Sequence, residues 1–129
     1  MLELLGLRTV IYPAADLRAS TTWFTELLGH GPYFDEPFYV GFNVAGYELA
    51  LDPDADPADG PRTYWGVADA DAGLAALVAA GAEVVAAVTD VGQGIRVAAV
   101  REPGGSFFGI IENPHFVATD IAHDEGPGR

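Results

Sequence analysis

The sequence contains no cysteine. Disulfides, thiolate metal ligands and a cysteine nucleophile are thereby excluded. The same absence suits a reducing compartment, and a cytoplasmic location is expected. Basic residues are scarce: six Lys and Arg stand against nineteen Asp and Glu, a formal charge of −13. So acidic a chain offers little to a phosphate backbone or an anionic lipid surface, so neither nucleic acid nor a membrane is expected as a partner. The opening residues, Met1 to Gly6, carry neither a basic start nor a long apolar run. No signal peptide or membrane span is expected there.

The 129 residues are 50% hydrophobic, enough for one domain with an ordinary core. An acidic surface first of all keeps a protein soluble. It also favours a cationic or neutral small molecule over an anion. The acidic residues cluster, with Asp52, Asp54, Asp56 and Asp59 in one Pro-rich stretch and Asp120, Asp124 and Glu125 in the tail. Much of the charge can therefore lie away from any site.

Leu7 to Tyr12 is β-rich and reads as a strand. Pro13-Ala14-Ala15 ends it, and Asp16 is a good helix N-cap. Leu17, Thr21, Phe24, Leu27 and Leu28 then recur at helical spacing, and Gly29 is the C-cap. Short strands are expected at Tyr33–Asp35, Phe38–Val44 and Tyr47–Leu51, the last two joined by a turn at Ala45-Gly46. Asp52 to Pro61 carries no periodicity and reads as a linker. The plan then repeats. Thr63–Val67 is a strand, Asp69 or Asp71 caps a helix through Leu74, Leu77 and Val78, and Gly81 ends it. Strands follow at Glu83–Val91, Ile95–Arg101 and Phe107–Glu112. The matching order of all five elements points to duplication. One domain over 1–116 is expected, built of two modules at about 5–52 and 62–113 with a linker at 53–61 and a flexible polar tail at 117–129.

Three segments carry a resemblance: TVIYPAADLRASTTWFTELLG (Thr9–Gly29), YWGVADADAGLAALVAAGAEV (Tyr64–Val84) and REPGGSFFGIIE (Arg101–Glu112). In order and spacing they resemble the vicinal oxygen chelate superfamily of glyoxalase I, bleomycin-resistance proteins, fosfomycin-resistance enzymes and extradiol dioxygenases. The resemblance covers roughly Leu5 to Phe116. It implies an α+β fold, the glyoxalase/bleomycin-resistance fold, in which two βαβββ modules form curved mixed sheets around a pocket. It implies a homodimer as well.

The resemblance also implies a divalent metal held by His, Gln or Glu at four positions, and these can be checked one by one. The first lies seven residues before the helix-capping Asp, which gives Thr9. The equivalent count back from Asp69 gives Arg62, and the last position, four residues after Gly105, gives Gly109. Thr is a poor ligand, a guanidinium repels a cation, and Gly has no side chain. Only Glu48 keeps a ligand-type residue. Glu112 falls on the opposite face of its strand from Gly109. His30, His115 and His123 lie in loops or the tail, away from the ligand positions. No metal and no other cofactor is expected.

Strand alternation suggests which residues would line the cavity instead. They are Thr9 and Ile11, Glu48 and Ala50, Arg62 and Tyr64, and Phe107, Gly109 and Ile111, with Gly66 leaving space. The strand at 38–44 adds Tyr39 or Phe38, and with it Gly41 or Phe42, its phase being open. The set is apolar and aromatic with two opposite charges, as small-molecule sites commonly are. Glu48 and Arg62 can pair with each other, fix a ligand's polar group, or both. Tyr64 and Phe107 read as pocket walls or as core, whereas Trp65 faces the helix layer. Gly109 inside a strand permits something to approach closely.

Two functions follow. One is a metal-free binding protein, like the bleomycin-resistance branch, that sequesters or senses an aromatic ligand, cationic ones included. The alternative is a metal-independent lyase, isomerase or epimerase, with Glu48 as base and Arg62 stabilising an oxyanion.

Overall fold

Each helix starts where an aspartate satisfies its first free N–H groups. A computed structural model describes residues 2–116. In it α1 spans Leu17–Leu28, and the Asp16 carboxylate accepts the N–H of Ala19 at 3.1 Å. Gly29 closes the helix in the left-handed conformation, its N–H donating to Thr25 O at 2.9 Å. The second helix, α2, spans Ala70–Ala79. Its cap is Asp69, not Asp71, for the Asp69 carboxylate accepts from Ala72 N at 3.1 Å.

Eight strands complete the α+β fold among the described residues: β1 Leu7–Pro13, β2 Phe34–Glu36, β3 Tyr39–Val44, β4 Tyr47–Asp52, β5 Arg62–Gly66, β6 Glu83–Gly92, β7 Ile95–Arg101 and β8 Phe107–Glu112. The order is strand, helix and three strands, twice over. Strand ends differ from expectation by a residue or so. The stretch at 52–61 differs more, because its aspartates bind their own backbone. Asp52 accepts from Asp54 N and Asp56 from Ala58 N, and Asp56 starts a 3-10 turn at Pro57–Asp59.

The chain divides into two compact units. One comprises 2–10 with Arg62–His115, and the other Ile11–Pro61 with Phe116. In the Ile11–Pro61 unit, β2, β3 and β4 are antiparallel neighbours. The two-residue turn at Ala45-Gly46 has φ of 56° and 92°, the left-handed pair that suits a tight hairpin. It fixes the register at Val44↔Tyr47, Asn43↔Glu48 and Gly41↔Ala50. Val40, Phe42, Leu49 and Leu51 therefore share one face and pack with Ala14 against Leu17, Phe24 and Leu28 of α1. Tyr12 stacks on Phe24 at 5.9 Å, which sets the helix-facing side of the end of β1.

In the other unit, β5 runs parallel to β8, β8 is antiparallel to β7, and β7 to β6. Val67, Ala98 and Ile110 form its buried core, covered by Leu74 and Leu77 of α2 and by Phe108. Trp65 stacks on Phe108 at 6.3 Å, on that same side. The tail expected from residue 117, with Asp120, His123, Asp124 and Glu125, lies outside the described residues.

Candidate functional site

The hairpin register decides what stands on the side of β3 and β4 away from α1. Tyr39, Gly41 and Asn43 are there with Glu48 and Ala50, and Phe42 is not. The open phase of β3 is thus settled in favour of Tyr39 and Gly41. Phe38 precedes the strand and is exposed. Ile11, next to the helix-facing Tyr12, is buried.

Glu48 is held by two phenols. Tyr39 donates its hydroxyl to Glu48 Oε1 at 2.9 Å, and Tyr33 donates to Oε2 at 2.5 Å. The backbone brings Tyr33 into place, since its N–H donates to Gly41 O at 3.0 Å, extending the ladder of β2 and β3. Its side chain then lies against Gly41. A Cβ at residue 41 would stand 2.6 Å from Glu48 Oε2 and 3.1 Å from the Tyr33 ring. Only glycine leaves room for the contact. Burial of the hydroxyl end and the bond to the Glu48 carboxylate push the Tyr33 phenol well above its ordinary range. Phe34 stands edge-on to both Phe38 and Tyr39, at 6.1 Å each.

The unit containing β5 and β8 carries a different cluster. Tyr64 and Gly109 are register partners, and the Tyr64 ring fills the place of a missing side chain. A Cβ at 109 would stand 2.5 Å from Tyr64 Cδ2. Phe107 meets Tyr64 edge-on at 5.6 Å, and the Arg62 guanidinium lies 5.7 Å from the Phe107 ring centre. Ile111 partners Gly66. The space expected at Gly66 is taken, because a Cβ there would stand 2.7 Å from Arg8 Nε. Thr9 is buried.

The expected residues therefore fall into two groups. Ile11, Tyr39, Glu48 and Ala50 belong to one unit, and Thr9, Arg62, Tyr64, Phe107, Gly109 and Ile111 to the other. Sequence reasoning missed Tyr33 and Arg8. The signal for both was a strand glycine, Gly41 or Gly66, marking close approach by a side chain.

The chain matches the Glyoxalase/Bleomycin resistance protein/Dioxygenase superfamily over residues 6–110. It belongs to that superfamily. A search of curated proteins found no match. Among solved structures, methylmalonyl-CoA epimerase from Mycobacterium tuberculosis is 22% identical with a TM-score of 0.66, covering 87% of this chain and 92% of the epimerase. A Streptomyces coelicolor methylmalonyl-CoA epimerase in complex with 2-nitronate-propionyl-CoA is 17% identical with a TM-score of 0.68, covering 90% and 99%. A hypothetical protein from Bacillus halodurans is 11% identical with a TM-score of 0.70, covering 86% and 96%. At these identities the likeness is one of fold.

The superfamily's metal does not fit the residues present. The position of its last ligand is Gly109, whose side-chain space is filled by the Tyr64 ring. Arg62, at another, is a cation lying over Phe107. Thr9 offers one neutral hydroxyl, and Glu48 already accepts two phenols. Among the described residues no three His, Cys, Asp or Glu side chains come together as a metal site. No described helix is long and apolar enough to cross a membrane.

Proposed function

We propose that this superfamily member binds an aromatic small molecule carrying a cationic group, sequestering or sensing it rather than transforming it. The observation that carries the reading is the Glu48 carboxylate, fixed by the phenols of Tyr33 and Tyr39, with Phe34 edge-on to the Tyr39 ring and Phe38 edge-on to Phe34. A positioned anion among aromatic faces suits an organic cation, which gains from both the charge and the ring quadrupoles. The surrounding charge favours such a ligand, with nine carboxylates and one arginine between Ile11 and Pro61. Arg62, Tyr64 and Phe107 offer a second aromatic surface of opposite sign. A homodimer in the cytoplasm is part of the proposal, and native mass spectrometry tests the dimer.

The test is a thermal-shift screen of the purified protein with aromatic amines and amidines beside their neutral isosteres. The cations should raise the melting temperature, because a ligand of the folded state stabilises it by mass action. Glu48→Gln should abolish the preference for cations. Equal responses to neutral and cationic compounds would sink the reading.

A second reading is a metal-independent lyase, isomerase or epimerase, with Glu48 as base and Arg62 as oxyanion stabiliser. The fold likeness to methylmalonyl-CoA epimerases favours it. The geometry of Glu48 speaks against it, since both oxygens already carry a donor and proton abstraction would have to displace a phenol. Turnover of an acyl thioester that Glu48→Gln abolishes would establish it.

A further inference from the structure

Tyr33 combines two properties that rarely go together. The residue is 62% exposed, yet its hydroxyl donates to Glu48 Oε2 at 2.5 Å. It lies outside regular structure, between the end of α1 and the start of β2, behind His30, Gly31 and Pro32. Tyr33 belongs to neither of the two hydrophobic core clusters described above. Tyr39, by contrast, stands within β3, half-buried, with Phe34 against its ring.

We infer that Tyr33 is a displaceable cover over Glu48: an incoming cationic N–H donor takes Oε2 from the Tyr33 hydroxyl, while Tyr39 keeps Oε1 and holds the carboxylate in place. The inference rests on the reading of Glu48 as the ligand's anchor. Its consequence is selectivity for charge. A neutral amide exchanges one neutral donor for another at Oε2 and gains nothing. An amidinium or ammonium exchanges a bond with one charged partner for one with two and wins the exchange. The exposed ring of Phe34 stands against Tyr39, which holds Oε1, and Phe38 stands against Phe34, so these rings are the aromatic surface offered to the ligand's own ring. Gly41 leaves the room in which this exchange happens, because any side chain there would meet both Tyr33 and Glu48. The ligand class is thus a planar aromatic amidine or amine.

Calorimetric titration with benzamidine and its neutral isostere benzamide tests this on the full chain, as wild type, Tyr33→Phe, Tyr39→Phe and Glu48→Gln. Tyr33→Phe keeps the ring and removes only the competing hydroxyl, and circular dichroism checks that each variant is folded. Benzamidine should bind Tyr33→Phe at least about tenfold more tightly than wild type, the worth of one hydrogen bond to a charged acceptor. Benzamide should gain by the same factor, because both compounds displace the same hydroxyl, so that the preference for the cation is kept. Tyr39→Phe should weaken benzamidine binding instead. If Tyr33→Phe weakens binding as Tyr39→Phe does, Tyr33 is a fixed part of the site and the cover is refuted while the cation reading stands. If Glu48→Gln keeps the preference, or wild type binds both compounds equally, the cation reading falls and the cover with it. Absence of binding to wild type and Tyr33→Phe alike overturns both.

Discussion

Glu112, near the end of β8, accepts the backbone N–H of Ala70, the first residue of α2, at 2.9 Å. A strand residue thus completes a helix cap that Asp69 begins through Ala72 N. Three carboxylates, Asp69, Asp71 and Glu112, sit at the positive end of the helix dipole, and Arg96 ties two of them down, reaching Asp71 at 2.7 Å and Glu112 at 3.4 Å.

Removing either cap should therefore destabilise the protein measurably. Asp69→Ala is expected to cost about 1 kcal/mol in urea unfolding. Glu112→Ala should cost at least as much, since it strands the Ala70 N–H and one bond of Arg96. Glu112→Gln, which keeps an acceptor, should cost less than Glu112→Ala. A larger loss in the Gln variant would contradict this geometry.

Gly109→Ala is expected to cost about 1–3 kcal/mol, because the new methyl collides with the Tyr64 ring. In a Tyr64→Ala background the same substitution should cost less, the remainder coming from the Thr63 carbonyl oxygen, which would stand 2.8 Å from the new Cβ. Denaturation of the four proteins of this double-mutant cycle measures the coupling. Additive losses would show that the two residues do not share the space.

Elemental analysis after equilibration with zinc and dialysis should find no stoichiometric divalent ion. A chelator should leave the melting temperature unchanged. The expectation follows from Thr9, Arg62 and Gly109 at the superfamily's ligand positions, and a bound equivalent of metal would contradict it.

The raised phenol of Tyr33 gives a pH dependence of definite sign. Its folded-state pKa lies above the ordinary 10.0, through burial and the bond to Glu48. Below pH 10.0 the unfolded and folded states both hold the proton, and the contribution is complete. Above that, the unfolded phenol loses its proton first, so stability falls as pH rises toward the folded value. Wild type should lose stability more steeply with alkaline pH than Tyr33→Phe, as read from denaturation curves. Parallel slopes would refute the assignment.

Much of this fold was legible because its boundaries are made by local chemistry. Asp16, Gly29, Asp69 and Gly81 announce helix ends within a turn of where the bonds form. The family resemblance was likewise local, carried by three contiguous segments. The phase of β3 was not legible. It depends on pairing with β4, set by the turn at Ala45-Gly46, and neither strand alternates cleanly enough to show its buried side. The bond from Tyr33 to Glu48 joins residues fifteen apart through side chains alone. No periodicity reports such a contact, and only Gly41 hinted at it. The aspartates of 52–61 were read as charge, whereas Asp52 and Asp56 act there as local hydrogen-bond acceptors.

The packing of Tyr64 on Gly109 also couples two positions in sequence space. A carboxylate cannot be placed at 109 by one substitution, since the Tyr64 ring and the Thr63 carbonyl oxygen already stand where its Cβ would go. A smaller residue at 64 relieves the first of these contacts and leaves the second. What position 109 tolerates therefore depends on what stands at 64. Diversity at the one is conditional on the other, and the pair changes together or not at all.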